Sequence, residues 1–410
     1  MILQNCKING KIDAKPSKSI FQRLLALSLL SSTPTIISNP SYCDDSLAVL
    51  NVITSIGCDV DNQDNQIRII PGRNNLDLTL NFNESALAIR MFSPILALFE
   101  NKYELIAEKT LQKRKLFEIE SILSKLGATV KTNFGFPPIQ IQGPISAENI
   151  ILDASYTSQF LTGLLISLPK LDKESVIEVS GLSSKPYIDI SLDLISKFGG
   201  KIVQYAEDIF ICYPSDYIGG RFVCENDWSN AAVFLIAGAI GGSCEVAGLD
   251  LDSKQGDKVV VDIIRSVGAQ VEIKPNSIKV DKSNLNSFEF SARNHPDLVP
   301  ILCVLALNCN GKSKIYDIER LRLKEIDRLE KILRVFNENN LKISYQNNCL
   351  EIQGSDYSID YLNTENDHRF SMVAALLSIN NPKPLVVINH EAISKSYPEF
   401  WIDFNSVQFC

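Results

Sequence analysis

The sequence has 410 residues, 45% hydrophobic and 21% charged. That length exceeds a single core and suggests two or three domains of about 100 to 200 residues, and the balance excludes a disordered or low-complexity chain. Lys and Arg number 40 against 48 Asp and Glu, a formal net charge of -8, which argues against nucleic acid or an anionic membrane as a partner. An anionic ligand therefore needs a local cationic pocket.

The N-terminus, MILQNCKINGKIDAKPSKS, has no basic start followed by an apolar run, and no uncharged stretch approaches the roughly 18 residues of a membrane span. A soluble, cytoplasmic protein is expected. Ten cysteines are scattered from Cys6 to Cys410 without a CxxC pair or a zinc spacing, so they read as reduced, structural thiols. With His295, His368 and His390 the only histidines, no metal site is expected.

In chain order, strongly apolar helices are predicted at FQRLLALSLL (21–30), LAIRMFSPILALF (87–99), QFLTGLLISL (159–168), NAAVFLIAGAI (230–240), LVPILCVLAL (298–307) and HRFSMVAALLSI (368–379). Hydrophobicity on all sides marks helices buried inside a domain. Between them come amphipathic helices such as KLFEIESILSKLG and VVVDIIRSVG, and strands such as QIRIIPG, PIQIQG and CLEIQGS. The amphipathic helices end in a Gly or Asn followed by an alternating strand, at Gly57, Gly127, Gly199, Gly268 and Asn340, about 70 residues apart; these residues accept the left-handed conformation that stops a helix. Six βαβα-like units in two groups of three predict an α/β fold of two similar globules of about 200 residues. Their joint falls near YIGGR, 217–221, and the residues alone assign the opening strand to the first globule.

The buried helices begin with polar groups: Ser17-Lys18-Ser19, Glu84-Ser85, Thr157-Ser158-Gln159, Asp227-Trp228-Ser229, His295-Pro296-Asp297 and Asp367-His368-Arg369. Each is first of all a candidate N-cap. Capping does not explain why several bring a cation to the positive end of a helix dipole; binding of phosphate or carboxylate does. In RLRLKEIDRLEKIL, a helical reading sets Lys324 and Arg328 four residues apart on one face, with Glu325 partly turned away. A carboxylate between two cations is either a solvated ion-pair network or a proton donor and acceptor beside an anionic substrate.

The motifs PSKSIFQR (16–23), ESALAIRMF (84–92), SYTSQFLTGLL from Ser155, SSKPYIDIS from Ser183, SKQGD from Ser253, HPD (295–297), RLKEIDR (322–328), NDHRFSM from Asn366 and SKSYPEF from Ser394 run in one order over the chain. In these the sequence resembles the 5-enolpyruvylshikimate-3-phosphate (EPSP) synthase family of the enolpyruvyl transferases. The resemblance implies two globules, each of three βαβαββ-type units with buried parallel helices, and an active site in the interdomain cleft. It implies domains of 14–220 and 221–410, the second completed by the N-terminal strand 1–13. It further implies transfer of the enolpyruvyl group of phosphoenolpyruvate to the 5-hydroxyl of shikimate 3-phosphate by addition and elimination, in the route to chorismate and the aromatic amino acids. No metal or cofactor is needed, and a monomer suffices.

Carried over by residue, Lys18, Ser19, Arg23, Thr157, Ser158, Ser184, Tyr187, Asp297 and Lys324 are implied to bind shikimate 3-phosphate. Lys18, Arg90, Arg114, Gln159, Arg328, Arg369 and Lys395 are implied to bind phosphoenolpyruvate. Asp297 is implied as the base for the 5-hydroxyl, Glu325 as the group exchanging a proton with the methylene carbon, and Lys18 as a third catalytic group near the reacting oxygens. The chain departs from the usual pattern in Glu84-Ser85-Ala86-Leu87, where many members have Asn-Ala-Gly-Thr, and in Lys115 and Arg320, where Pro and Asn are usual. In the family a methyl group at the position of Ala86 accompanies poor binding of glyphosate. Two alternatives are a UDP-N-acetylglucosamine enolpyruvyl transferase and a catalytically silent repeat protein. The first carries a Cys in a loop that here, at 100–116, has none; the second would have lost some of Lys18, Asp297, Glu325 and Arg369, all present.

Overall fold

The computed structural model describes every residue except Asp64, Asn75 and Cys410. The chain forms two units, Pro16–Glu225 on the one hand and Asn226–Cys410 with Met1–Lys15 on the other. The residues place the joint near 217–221, and the resemblance implies 220/221. Arg221–Val223, however, pairs in parallel with Thr35–Ser38 inside the first unit, so the joint lies between Glu225 and Asn226.

The helices of the first unit are α1 (Lys18–Leu30), α2 (Asp44–Ile56), α3 (Ala86–Leu96), α4 (Ile119–Lys125), α5 (Gln159–Ser167) and α6 (Lys185–Lys197). Those with apolar residues all round, α1, α3 and α5, are the buried ones, because a helix without a polar face has no side to turn to water. The amphipathic α2, α4 and α6 cover them. After these, Gly57, Gly127 and Gly199 take φ of +124°, +102° and +87°, and the chain turns directly into a hairpin.

Five of the sheets share one strand order: a leading strand, a parallel neighbour, then the two arms of an antiparallel hairpin; the sixth instead sets Ile2–Leu3 antiparallel to Leu385–Ile388, whose parallel neighbour is Tyr361–Asn363. The second repeat shows it in Leu78–Asn81, Lys102–Ile106, Phe136–Gln142 and Thr129–Asn133. The third repeats it in Ile150–Asp153, Ser175–Ser180, Ile209–Tyr213 and Lys201–Ala206. Within the core, α3 and α5 approach so closely that a Cβ on Gly163 would lie 2.4 Å from the Met91 carbonyl oxygen, a separation no side chain tolerates.

The second unit holds α7 (Trp228–Gly241), α8 (Val260–Ser266), α9 (Val299–Leu307), α10 (Arg328–Glu338), α11 (His368–Asn380) and α12 (Phe400–Ser406). Here α7, α9 and α11 are the buried helices, and Gly268 and Asn340 end the amphipathic ones at φ +97° and +57°. The opening strand, which the residues alone assign to the first globule, belongs here: Lys7–Asp13 lies parallel to Gly242–Ala247, with Gln408–Phe409 antiparallel on its other edge. The strand just before α1 thus serves the sheet of α7, and the strand just before α7, Arg221–Val223, serves that of α1. Each unit has its own core, around Phe21, Ile89 and Leu161 in the first and Phe234, Leu302 and Phe400 in the second. The nine cysteines among the described residues are buried, and no helix among those residues is long and apolar enough to cross a membrane.

Candidate active site

In the first unit the expected residues sit in the first two turns of α1, α3, α5 and α6 and in the loops before them, except Arg114, which lies in the loop before α4. Lys18 opens α1, where the helix dipole disfavours a cation; Asp45, in the first turn of α2, compensates it with a carboxylate 2.9 Å from Nζ. Gln22 bonds both the Asp45 carbonyl oxygen, at 2.9 Å, and Ser85 Oγ, at 3.1 Å. The sequence reading did not single out Asp45 or Gln22, since neither residue type at those positions looks different from a helix-surface residue.

One turn into α1, Arg23 is 1% exposed. It donates to four neutral oxygens: Ser191 Oγ at 2.8 Å, the Ser19 carbonyl at 2.7 Å, Thr162 Oγ1 at 3.3 Å and the Tyr187 carbonyl at 3.2 Å. Burial pushes its guanidinium down to about 10. Ser184, in the left-handed conformation at φ +55°, stands at the N-cap position of α6, with Tyr187 in the helix's first turn.

A third cluster centres on Arg90 of α3, 3% exposed. It reaches Gln159 Oε1 at 3.1 Å and the Lys115 carbonyl at 2.9 Å, so one guanidinium ties the start of α5 to the loop that carries Arg114. Thr157 Oγ1 accepts from the Gln159 amide at 3.2 Å, and Ser158, the N-cap of α5, is buried. Glu84 makes no cap; it accepts from Thr110 N and Oγ1 at 3.2 and 2.7 Å and so fixes the turn preceding Arg114. Leu87 is buried in the core, and Ala86 is the first residue of α3.

In the second unit the helical reading of 324–328 is corrected. A 3-10 turn, Glu319–Leu323, gives way to extended backbone at Lys324, and α10 begins only at Arg328. The side chains meet nonetheless. Lys324 Nζ lies 3.1 Å from Asp297 Oδ1, and Arg328 Nη1 bonds that same oxygen at 2.7 Å. Arg328 also bonds Glu325 Oε2 at 2.7 Å and grips Asp367 through Nε and Nη2 at 2.7 and 3.2 Å. Burial disfavours the charge on Asp297, but Lys324, Arg328 and Arg369 together outweigh it and hold the carboxyl well below the usual range. Burial likewise pushes the Lys324 ammonium down. Arg328 is pushed up: three carboxylates more than offset its own desolvation.

Lys395 stands 3.8 Å from Glu325 Oε1. Arg369, buried in the first turn of α11, donates to the Ser229 carbonyl at 3.2 Å and makes no ion pair among the described residues, and its Nε has no hydrogen-bond partner. The capping expectation holds for Asp227 and Asp367, which accept from the Asn230 and Arg369 amides. Ser17, Ser85 and Ser158 make no side-chain cap bond, and His295-Pro296-Asp297 lies ahead of α9, whose cap is Leu298. Asp367 and Asp257 are further buried carboxylates; Asp257 accepts from Ser229 Oγ and faces His295 Nδ1 at 3.7 Å. Among the described residues no group of His, Cys, Asp and Glu is arranged to hold a metal ion.

A family model described as EPSP synthase (3-phosphoshikimate 1-carboxyvinyltransferase) matches residues 3–404. The chain is similar to the 3-phosphoshikimate 1-carboxyvinyltransferase of Clostridium novyi, 32% identical over 417 residues, covering 98% of this chain and 95% of the relative. It is also similar to that of Clostridium kluyveri, 32% identical over 407 residues with the same shares. Among solved structures, an EPSP synthase from Acinetobacter baumannii superimposes with a TM-score of 0.83 at 18% identity, over 99% of this chain and 97% of the other. The enolpyruvyl transferase NikO from Streptomyces tendae gives 0.78 at 13% identity, over 99% and 96%. At those identities the structural likeness concerns the fold, whereas the sequence match spans the motifs and their order: the chain belongs to the EPSP synthase (3-phosphoshikimate 1-carboxyvinyltransferase) family.

Proposed function

We infer that the protein transfers the carboxyvinyl group of phosphoenolpyruvate to the 5-hydroxyl of shikimate 3-phosphate, and that the residue sets of both units act on this one pair of substrates. The observation that carries this reading is the state of two buried guanidinium groups, Arg23 and Arg369, which among the described residues donate to neutral oxygens and, for Arg369, to the Met372 sulfur as well, with no carboxylate within ion-pair distance. A buried charge of that kind is stabilised by an anion, and both substrates are polyanions.

Shikimate 3-phosphate is assigned to Ser19, Arg23, Thr157, Ser158, Ser184, Tyr187 and Lys324, whose hydroxyls suit a polyol ring and whose cations suit its phosphate and carboxylate. Phosphoenolpyruvate is assigned to Arg90, Arg114, Gln159, Arg328, Arg369 and Lys395, and Lys18 serves both. Asp297, ionised between Lys324 and Arg328, accepts the 5-hydroxyl proton. Substrate anions compete for those two cations, which weakens their hold on Asp297 and raises its basicity as the hydroxyl arrives. Glu325, flanked by Arg328 and Lys395, delivers a proton to the methylene carbon, which becomes a methyl group, and the hydroxyl adds to the neighbouring carbon; phosphate then leaves with its bonding electron pair while Glu325 takes a proton back from that methyl group to restore the double bond, and the proton held by Asp297 passes to the departing phosphate. Preorganised cations stabilise the charge that collects on the intermediate.

The net charge of -8 supports a protein without nucleic acid or anionic membrane as partner, and two small substrates need no second subunit; we propose a cytoplasmic monomer. Phosphate release from phosphoenolpyruvate should appear with shikimate 3-phosphate and not with UDP-N-acetylglucosamine, in the monomer fraction of a size-exclusion column. Release only with the UDP-sugar, or with neither, contradicts the assignment, and activity confined to larger species contradicts the monomer. For Ala86, buried at the start of α3, the expectation is glyphosate tolerance that Ala86→Gly reduces. An inhibition constant already comparable to the KM for phosphoenolpyruvate would remove the basis for it.

A further inference from the structure

Two loops of the first unit carry residues assigned to different substrates. The loop around residues 114–118 bears Arg114, and that around 154–158 bears Thr157 and Ser158 and leads into Gln159. Each has its own anchors. The Leu116 amide bonds the Gly135 carbonyl at 2.6 Å and the Arg114 amide bonds Leu111 at 3.1 Å; the Ala154 amide bonds Ser180 at 2.9 Å and Ser183 Oγ bonds the Ala154 carbonyl at 3.3 Å. At least two ties run between the loops. The inner one is the buried Arg90, shared by the Lys115 carbonyl and Gln159. The outer one is aromatic: Phe117 and Tyr156 stack with centroids 4.5 Å apart and planes 12° from parallel, and the Lys115 ammonium lies over the Phe117 ring at 5.5 Å.

The stack is not core packing. Tyr156 is 45% exposed, and neither ring belongs to the hydrophobic core of the unit. Its two rings immediately neighbour the expected ligands, Tyr156 one residue before Thr157 and Phe117 three after Arg114. A parallel pair fixes both the separation and the relative tilt of the two backbones that carry it, so ordering one loop orders the other.

We propose that the Phe117–Tyr156 stack is a positioning device that couples the two substrate subsites, so that shikimate 3-phosphate seated on Thr157 and Ser158 sets Arg114 for phosphoenolpyruvate. The inference rests on the assignment of those residues given above. By reciprocity, either substrate then tightens the other by one factor.

The test is titration calorimetry of each substrate alone and with the other saturating, in a Glu325→Gln background where turnover is suppressed. That parent should show mutual tightening. Tyr156→Ala and Phe117→Ala should each lose about 3- to 10-fold of it, the scale of an aromatic pair, while binding of shikimate 3-phosphate alone changes less. Combining them should cost no more than either one, and Tyr156→Phe should restore the parent value, which general loosening of the fold would not predict. No tightening in the parent, or full tightening in both alanine variants, overturns the proposal. If Phe117→Ala does not fold, Tyr156→Ala against Tyr156→Phe decides alone, because that ring is half exposed. Phosphate release by the wild type is measured in parallel: its absence overturns the functional reading, whereas release with coupling indifferent to Tyr156 overturns the stack's role only.

Discussion

Arg328→Ala should lower the free energy of unfolding by about 3–5 kcal/mol, the range for stripping a buried ion cluster of one partner. The side chain is 1% exposed and bonds Asp297, Glu325 and Asp367; without it, three partly or fully buried carboxylates remain close together. Arg328→Lys should recover only part of the loss, because an ammonium cannot reproduce the two-pronged grip on Asp367. The deficit has a definite pH dependence. Asp297 is held well below its ordinary value, so its contribution to stability is fully present above the unfolded carboxyl value of about 4 and is lost as pH falls through the depressed folded value. The variant loses much of that depression, so the gap from wild type should be widest near neutrality and narrow in acid. Urea unfolding at several pH values measures it; a loss under about 1 kcal/mol at pH 7 would mean that the cluster behaves like a surface ion pair.

Glu325→Gln and Asp297→Asn should each reduce kcat by at least about 10²-fold, the usual scale of general acid-base help, with KM values changed much less. Both substitutions keep the shape of the side chain and its ability to accept hydrogen bonds from Arg328 and Lys324, so substrate binding has little reason to suffer. Turnover near wild type in both would overturn the assigned roles. A carboxyl carbon-13 titration of Asp297 adds an independent check: the signal should titrate below the ordinary range in the free protein and move upward when shikimate 3-phosphate takes over Lys324. An unmoved titration would contradict the idea that substrate anions release the base.

Much of the fold is legible in the sequence because it is local. The stops at Gly57, Gly127, Gly199, Gly268 and Asn340 all adopt positive φ, since the left-handed turn ending a helix selects its residue directly. The all-apolar α1, α3, α5, α7, α9 and α11 are buried for an equally local reason. The helical reading of Lys324–Arg328 failed because charged spacing has no single geometry: an extended Lys324 followed by a helix starting at Arg328 brings the same side chains onto Asp297.

By itself, then, the sequence determined the repeat, the burial of alternate helices and which cations and carboxylates stand near helix starts, all properties of short segments. Tertiary structure decided the rest, although the resemblance to the EPSP synthase family had already implied that the N-terminal strand completes the second globule. The exchange of leading strands, Lys7–Asp13 into the sheet of Gly242–Ala247 and Arg221–Val223 into that of Thr35–Ser38, depends on parallel pairing between segments far apart in the chain, and a strand's own pattern of side chains does not name its partner. The counter-charges Asp45 and Asp367 were equally hidden. Each looks like an ordinary helix-start residue, and only the folded chain, by bringing Asp45 to the half-buried Lys18 and Asp367 to the buried Arg328, turns it into the carboxylate that offsets a desolvated cation.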